Sequence, residues 1–172
     1  VETVAGTVLP AADLDVTLPD ALNLDFQTGI AANTLLFGSL RYVKWSQTEV
    51  APAQYKANAL LGNGAALLVK GTDVVNFNLG VGRKFNDLWS GAVTYGSERK
   101  TGDAGSPFTF KDGYNKIGLG VTYTAEQAKI TFGVQKVTVG DLDIAIAKGA
   151  AGNAAMASND ALVTAVKIAY KF

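Results

Sequence analysis

The last thirteen residues, Asp160–Phe172, alternate without a break. One set is Leu162, Thr164, Val166, Ile168, Tyr170 and Phe172; the other is Ala161, Val163, Ala165, Lys167, Ala169 and Lys171. A period of two requires a β-strand with two unlike faces. Here one face is apolar and ends in two aromatics, while the other is small or cationic. A strand left at a sheet edge is normally blunted by charge or proline, yet this one finishes on Phe172. Its length suits a membrane-crossing β-strand, which needs about 9–11 residues with the apolar side outward.

The same period recurs along the chain. In Ala21–Ala31, Leu22, Leu24, Phe26, Thr28 and Ile30 alternate with Asn23, Asp25, Gln27 and Gly29. In Leu35–Trp45 both sets carry apolar residues, so the facing is ambiguous; Ser39 and Arg41 are placed inward. Thr72–Phe85 sets Val75, Phe77, Leu79 and Val81 against Asn76, Asn78, Gly80 and Gly82. Charged Asp73 and Arg83 join its apolar set only at the two ends, where headgroups and water would lie. Leu88–Glu98, Tyr114–Thr124 and Ala128–Val139 repeat the arrangement, with Lys136 as an exception on an outward set. Seven strands result, and their links alternate. Residues 32–34, 86–87 and 125–127 are short turns, whereas 47–71, 100–113 and 140–158 are long connections. Outer-membrane barrels have short periplasmic turns and long external loops. The expected fold class is therefore all-β, an antiparallel transmembrane β-barrel segment of seven strands, or eight if Val1–Leu9 supplies one more. The 47–71 connection has room for a short helix.

Composition narrows the function. The chain has no His and no Cys, which removes imidazole bases, thiolate chemistry, disulfides and most transition-metal sites. Neither a nucleophile–base pair nor a catalytic residue stands out, so an enzyme is not expected, and no cofactor or metal is called for. Formal charge is zero, which gives no reason to expect nucleic acid. Mean hydropathy is +0.17, although no apolar run reaches the length of a membrane helix. Alternation dilutes apolar residues in this way. Gly80-Val81-Gly82-Arg83-Lys84 lacks the spacing of a phosphate loop and lies in a strand.

In order along the chain, Thr17-Leu18-Pro19-Asp20, Arg41-Tyr42-Val43-Lys44-Trp45-Ser46, Leu79-Gly80-Val81-Gly82-Arg83-Lys84-Phe85, Asn86-Asp87-Leu88-Trp89-Ser90-Gly91 and the final Tyr170-Lys171-Phe172 resemble the C-terminal half of the FadL-type outer-membrane transporters. The resemblance runs from about Asp13 to Phe172. It implies a fourteen-stranded barrel of which residues 1–172 form the C-terminal half, without the N-terminal hatch. It also implies an integral protein of the bacterial outer membrane that passively takes up long-chain fatty acids or similar apolar molecules. Its partners would be that cargo, outer-membrane lipid and the barrel-assembly machinery, engaged through the strand ending Phe172. The alternative is a small eight-stranded structural or adhesin-like barrel without transport, closed by Val1–Leu9. The chain begins at Val1 without an initiator Met, as a processed form or a fragment would.

Candidate ligand residues follow from two patterns. The connection after the second strand is unusually apolar, with Leu60, Leu61, Leu67, Leu68 and Val69; greasy loops suit capture of apolar cargo or packing against further loops. Inward charges are Asp25, Arg41, Glu98, Lys116, Lys129, Lys167 and Lys171. Of these, Arg41 and Lys116 are the candidate anchors for a carboxylate, set against a lumen that neutralises itself through Asp25 and Glu98. By the resemblance alone, Lys70 matches a basic residue that meets the fatty-acid carboxylate. Gly29, Gly118, Gly120 and Gly133 either thin the inner wall for a ligand or relieve crowding. Trp45, Trp89, Tyr95, Tyr170 and Phe172 are assigned to interface girdles.

Overall fold

The computed structural model describes residues 2–4, 7–9, 13–58, 64, 66–69, 71–103, 111–145, 153–157 and 159–171. It is all-β, with one dominant antiparallel sheet of seven strands. These are β1 (Ala21–Ala31), β2 (Thr34–Val43), β3 (Val74–Lys84), β4 (Trp89–Glu98), β5 (Tyr114–Thr124), β6 (Ala128–Val139) and β7 (Asp160–Tyr170). Each pairs with its sequence neighbours, in the order β1 to β7. All seven expected strands are present, with ends shifted by at most two residues. The second strand ends two residues early, and Trp45 starts a 3-10 turn over Trp45–Gln47.

Local chemistry sets the short turns. Asn33 takes a left-handed backbone, φ 58°, which asparagine tolerates, and links β1 to β2. Asn86 accepts bonds from the Leu88 and Trp89 N–H groups at 2.9 and 2.8 Å, an Asx turn between β3 and β4. Lys84 pairs with Asp87 across the same turn. The long connections carry small elements of their own. The first holds a helix over Ala53–Ala57 and a short ladder of Glu49–Val50 with Leu68–Val69. The third holds a hairpin of Leu142–Ala145 with Asn153–Met156.

Register resolves the faces, because directly paired residues share one side of the sheet. One row reads Thr28–Leu36–Val81–Val93–Leu119–Val134–Thr164. The row nearer the long loops on the opposite face reads Asp25–Ser39–Asn78–Gly96–Lys116. Ser39 and Arg41 therefore lie with Asn76 and Asn78, and the ambiguous facing of β2 is settled as expected. The apolar face is the bare one: Val81, Val93, Leu119 and Phe132 are all exposed, Leu119 by 55%. In the central strands the small, polar face is half-buried, with Gly80, Gly96 and Gly118 buried, while β1 and β7 are exposed on both faces.

The sheet is open. Its edges are β1 and β7, and each has only one neighbour. The described residues 2–4 and 7–9 do not join it. Glu2–Val4 pairs with Thr7–Leu9 in a two-stranded sheet of its own, so no eighth strand from this part of the chain lies along either edge. Each of these strands has three residues, too short to line an eleven-residue edge. The buried apolar side chains among the described residues are Val43, Val74 and Leu142, at the bases of the long loops. The accessible surface is 11715 Å². A compact monomer of 17.9 kDa would expose about 8,000 Å².

Candidate functional site

The half-buried face divides into two zones. Towards the long loops it is polar. Arg41 donates to Asn23 Oδ1 at 3.0 Å, Asn78 donates to Ser39 at 3.2 Å, and Asn76 donates to Glu98 at 3.4 Å. Lys116 lies beside the Tyr114 ring, its Nζ 5.4 Å from the centroid, with Lys111 at 4.7 Å from the same ring. Glu98 is paired to Lys111, outside the sheet. Asp25 forms no ion pair among the described residues. The expected self-neutralising lumen, built on Asp25 and Glu98, is thus absent from this face. Arg41 and Lys116 keep their charge available.

Towards the short turns the same face is nearly bare. The row Gly29–Leu35–Gly82–Ala92–Gly120–Gly133–Ala165 crosses all seven strands. Beside it lies a cavity of about 650 Å³, lined among others by Gly29, Gly82, Ala92, Gly120, Thr122 and Thr131. The two roles weighed for the glycines divide by zone. Nearer the loops they relieve crowding: a Cβ on Gly80 would collide with the Phe37 ring at Cζ and Cε2, and one on Gly118 would lie 2.6 Å from Thr94 Oγ1. Near the turns they leave space: nothing lies within 4 Å of a Cβ on Gly29, and the nearest atoms to Gly120 and Gly133 are 3.9 Å away. Phe37, over Gly80, stands at the boundary between the zones.

The bare face has polar groups at both ends. At the loop end Tyr42 donates to Asp73 at 2.5 Å and the Ser46 N–H donates to the other carboxylate oxygen at 3.0 Å. These bonds hold the Asp73 carboxyl below the usual carboxylate range, the Tyr42 hydroxyl contributing most. Tyr95 and Ser97 share Asn115 Oδ1. The exceptional Lys136 pairs with Asp160 at 3.6 Å. At the turn end Trp89 and Tyr123 lie with ring centroids 5.0 Å apart, and Tyr170 donates to Gln127.

Of the predicted ligand residues, Arg41 and Lys116 share the polar zone but stand three strands apart, about 14 Å at the usual strand spacing. Leu67 and Leu68 are half-buried in the first long loop, where the Leu67 N–H donates to Val50 O at 2.9 Å. Among the described residues no hydrogen bond joins them to either cation. Lys70, Leu60 and Leu61 lie outside the described residues, as does Phe172. Sequence reasoning missed the loop-base aspartates and the adjacent cations Arg99 and Lys100, which line cavities at the loop end. The only signal for the latter was the charged run Glu98-Arg99-Lys100 at a strand end. No protein family matches the chain, and no curated protein matches it either.

Proposed function

We propose that the seven-stranded sheet is part of the wall of an outer-membrane β-barrel that passes long-chain fatty acids or similar apolar molecules into the bilayer. The observation that carries this reading is the inverted packing of the central strands: in β3, β4 and β5 the large apolar side chains are bare, and the small and polar ones are sheltered. Water makes that arrangement costly over a continuous face, whereas lipid outside and a solvated lumen inside make it favourable. Dimensions agree. Asp73 and Arg83 bracket the apolar run of β3 and are ten residues apart. At 3.4 Å per residue that is about 34 Å along the strand, or about 26 Å across a bilayer at a tilt near 40°, against an apolar band of about 25 Å. Segregation of long and short links to opposite ends supports the same orientation, with long loops outside.

The resemblance to FadL-type transporters supplies the cargo class. The available charges of Arg41 and Lys116 above a bare glycine belt suit an amphiphile with its carboxylate up and its chain down. Because the chain has no native Cys, single cysteines at 117–121 can be labelled cleanly in nanodiscs. Labels at Ile117, Leu119 and Val121 should be quenched by lipid-borne nitroxide, and those at Gly118 and Gly120 by a water-soluble quencher. Uniform aqueous quenching would remove the membrane reading. Saturable oleate binding by the inserted protein, weakened by Arg41→Gln/Lys116→Gln, is the expected result for transport.

A further inference from the structure

We propose that Arg99 and Lys100 form a headgroup site for an anionic amphiphile at the loop end of the sheet, receiving cargo before Arg41 and Lys116 do; this rests on the membrane reading above. Both residues lie just beyond the end of β4 and are exposed. Both line a cavity of about 660 Å³ set across the loop ends of β4 to β7, with Tyr114, Val139, Gly140 and Asp160 among its walls. Both also line a neighbouring cavity of about 450 Å³ with Asp73 and Val74. The larger volume is within the range that takes a small-molecule ligand.

Two glycines set the position of this pair. Gly113 has φ +73°, and a Cβ there would lie 2.7 Å from Glu98 O, 2.8 Å from Lys100 N and 3.0 Å from the Arg99 carbonyl carbon. Only glycine lets the backbone of 98–100 settle this closely. Gly140, whose N–H donates to Gly113 O at 3.0 Å, is set by the backbone: a Cβ there would collide with the Asp112 carbonyl oxygen, while the Lys100 stem passes close by. The backbone of 98–100 is thus fixed against Gly113, and both cations line both cavities.

The surrounding carboxylates are already committed. Glu98 is paired with Lys111, and Asp160 with Lys136. Asp73 accepts from Tyr42 and Ser46, and Asp103 accepts from the Thr72 N–H and hydroxyl. Asp112 accepts from Thr101 and Gly102, and Asp141 is itself engaged. Among the described residues neither Arg99 nor Lys100 has an ion-pair or hydrogen-bond partner. Two adjacent cations without a counterion, beside an open cavity with Tyr114 and Val139 in its wall, fit a carboxylate carrying an apolar chain.

The test is equilibrium binding to the full chain in nanodiscs, with oleate, uncharged oleyl alcohol and acetate as probes. The expected result is saturable oleate binding that falls at least about tenfold in Arg99→Gln/Lys100→Gln, as loss of charge-assisted contacts predicts, and that weakens in high salt. Arg99→Lys/Lys100→Arg should retain it, and oleyl alcohol should bind the parent and the Gln variant alike. Oleate binding untouched in the Gln variant but lost in Arg41→Gln/Lys116→Gln would overturn the site and leave the transport reading standing. Equal loss of oleyl alcohol, or acetate binding as tightly as oleate, would overturn an amphiphile headgroup site. No saturable oleate binding by the parent chain would overturn both the site and the transport reading, while the quenching pattern separately decides membrane insertion.

Discussion

Asp73 ties the first long loop at its base, with one carboxylate oxygen on the Tyr42 hydroxyl and the other on the Ser46 N–H. Those bonds favour the ionised form and lower its pKa. A group with a lowered folded pKa contributes fully above its unfolded value, and the contribution is lost as pH falls through the folded one. The clasp should therefore hold at neutral pH and release only below the ordinary carboxylate range. Asp73→Asn should loosen it at every pH and flatten the acid limb, readable as exchange protection of the Ser46 amide between mild and strong acid. A second residue-scale test is the Phe37–Gly80 pair. Gly80→Ala should cost about 1–3 kcal/mol by overpacking, and Phe37→Ala in the same chain should recover most of it. Gly133→Ala, with its nearest atom at 3.9 Å, should be close to neutral in the same denaturation series. Neither feature was legible beforehand. The hydroxyl–carboxylate clasp joins residues 31 positions apart, and periodicity says nothing about contacts of that range.

Strands were the legible part, because a two-residue period states both the element and its faces. In β5 the exposed Ile117, Leu119 and Val121 and the sheltered Lys116, Gly118 and Gly120 fall where alternation put them. Short turns were legible for a related reason: Asn33 and Asn86 carry their own turn chemistry. Long connections carry no such period. The ladder of Glu49–Val50 with Leu68–Val69, the Asp103–Thr72 bonds between loops and the close approach of Gly113 to the 98–100 backbone depend on partners far along the chain. The expected pairing of the inward-assigned charges failed for another reason. Glu98 chose Lys111 in the loop above, a partner that a count of inward residues omits. At this scale the decisive substitution is Leu119→Arg, in the middle of the bare face. Insertion into lipid would make it cost about 2–4 kcal/mol, measured by unfolding from bilayers. Gln135→Lys, on the sheltered face, should cost little there. A water-facing sheet would tolerate Leu119→Arg and gain solubility from it, which is the opposite ordering.

At the scale of the molecule, strand parity is decisive. Seven strands joined in sequence, each antiparallel to the next, leave β1 and β7 pointing the same way. Closing the sheet on itself would require a parallel seam, although all six observed pairings in it are antiparallel. Antiparallel closure needs an odd number of further strands between the two edges. The edges are also the barest strands, with Leu22 and Ile168 each 70% exposed, and their free N–H and C=O groups are templates for pairing. The 172 residues refolded in detergent should therefore give β signal without the mobility shift on boiling that marks a closed barrel. Amides along β1 and β7 should exchange well before those of β4 and β5, whose ladders are satisfied on both sides. A clear boiling shift, with edge amides as protected as central ones, would mean that β1 and β7 do meet. The lumen would then be that of a small barrel, filled by its own side chains, and a fatty acid would have no path through it.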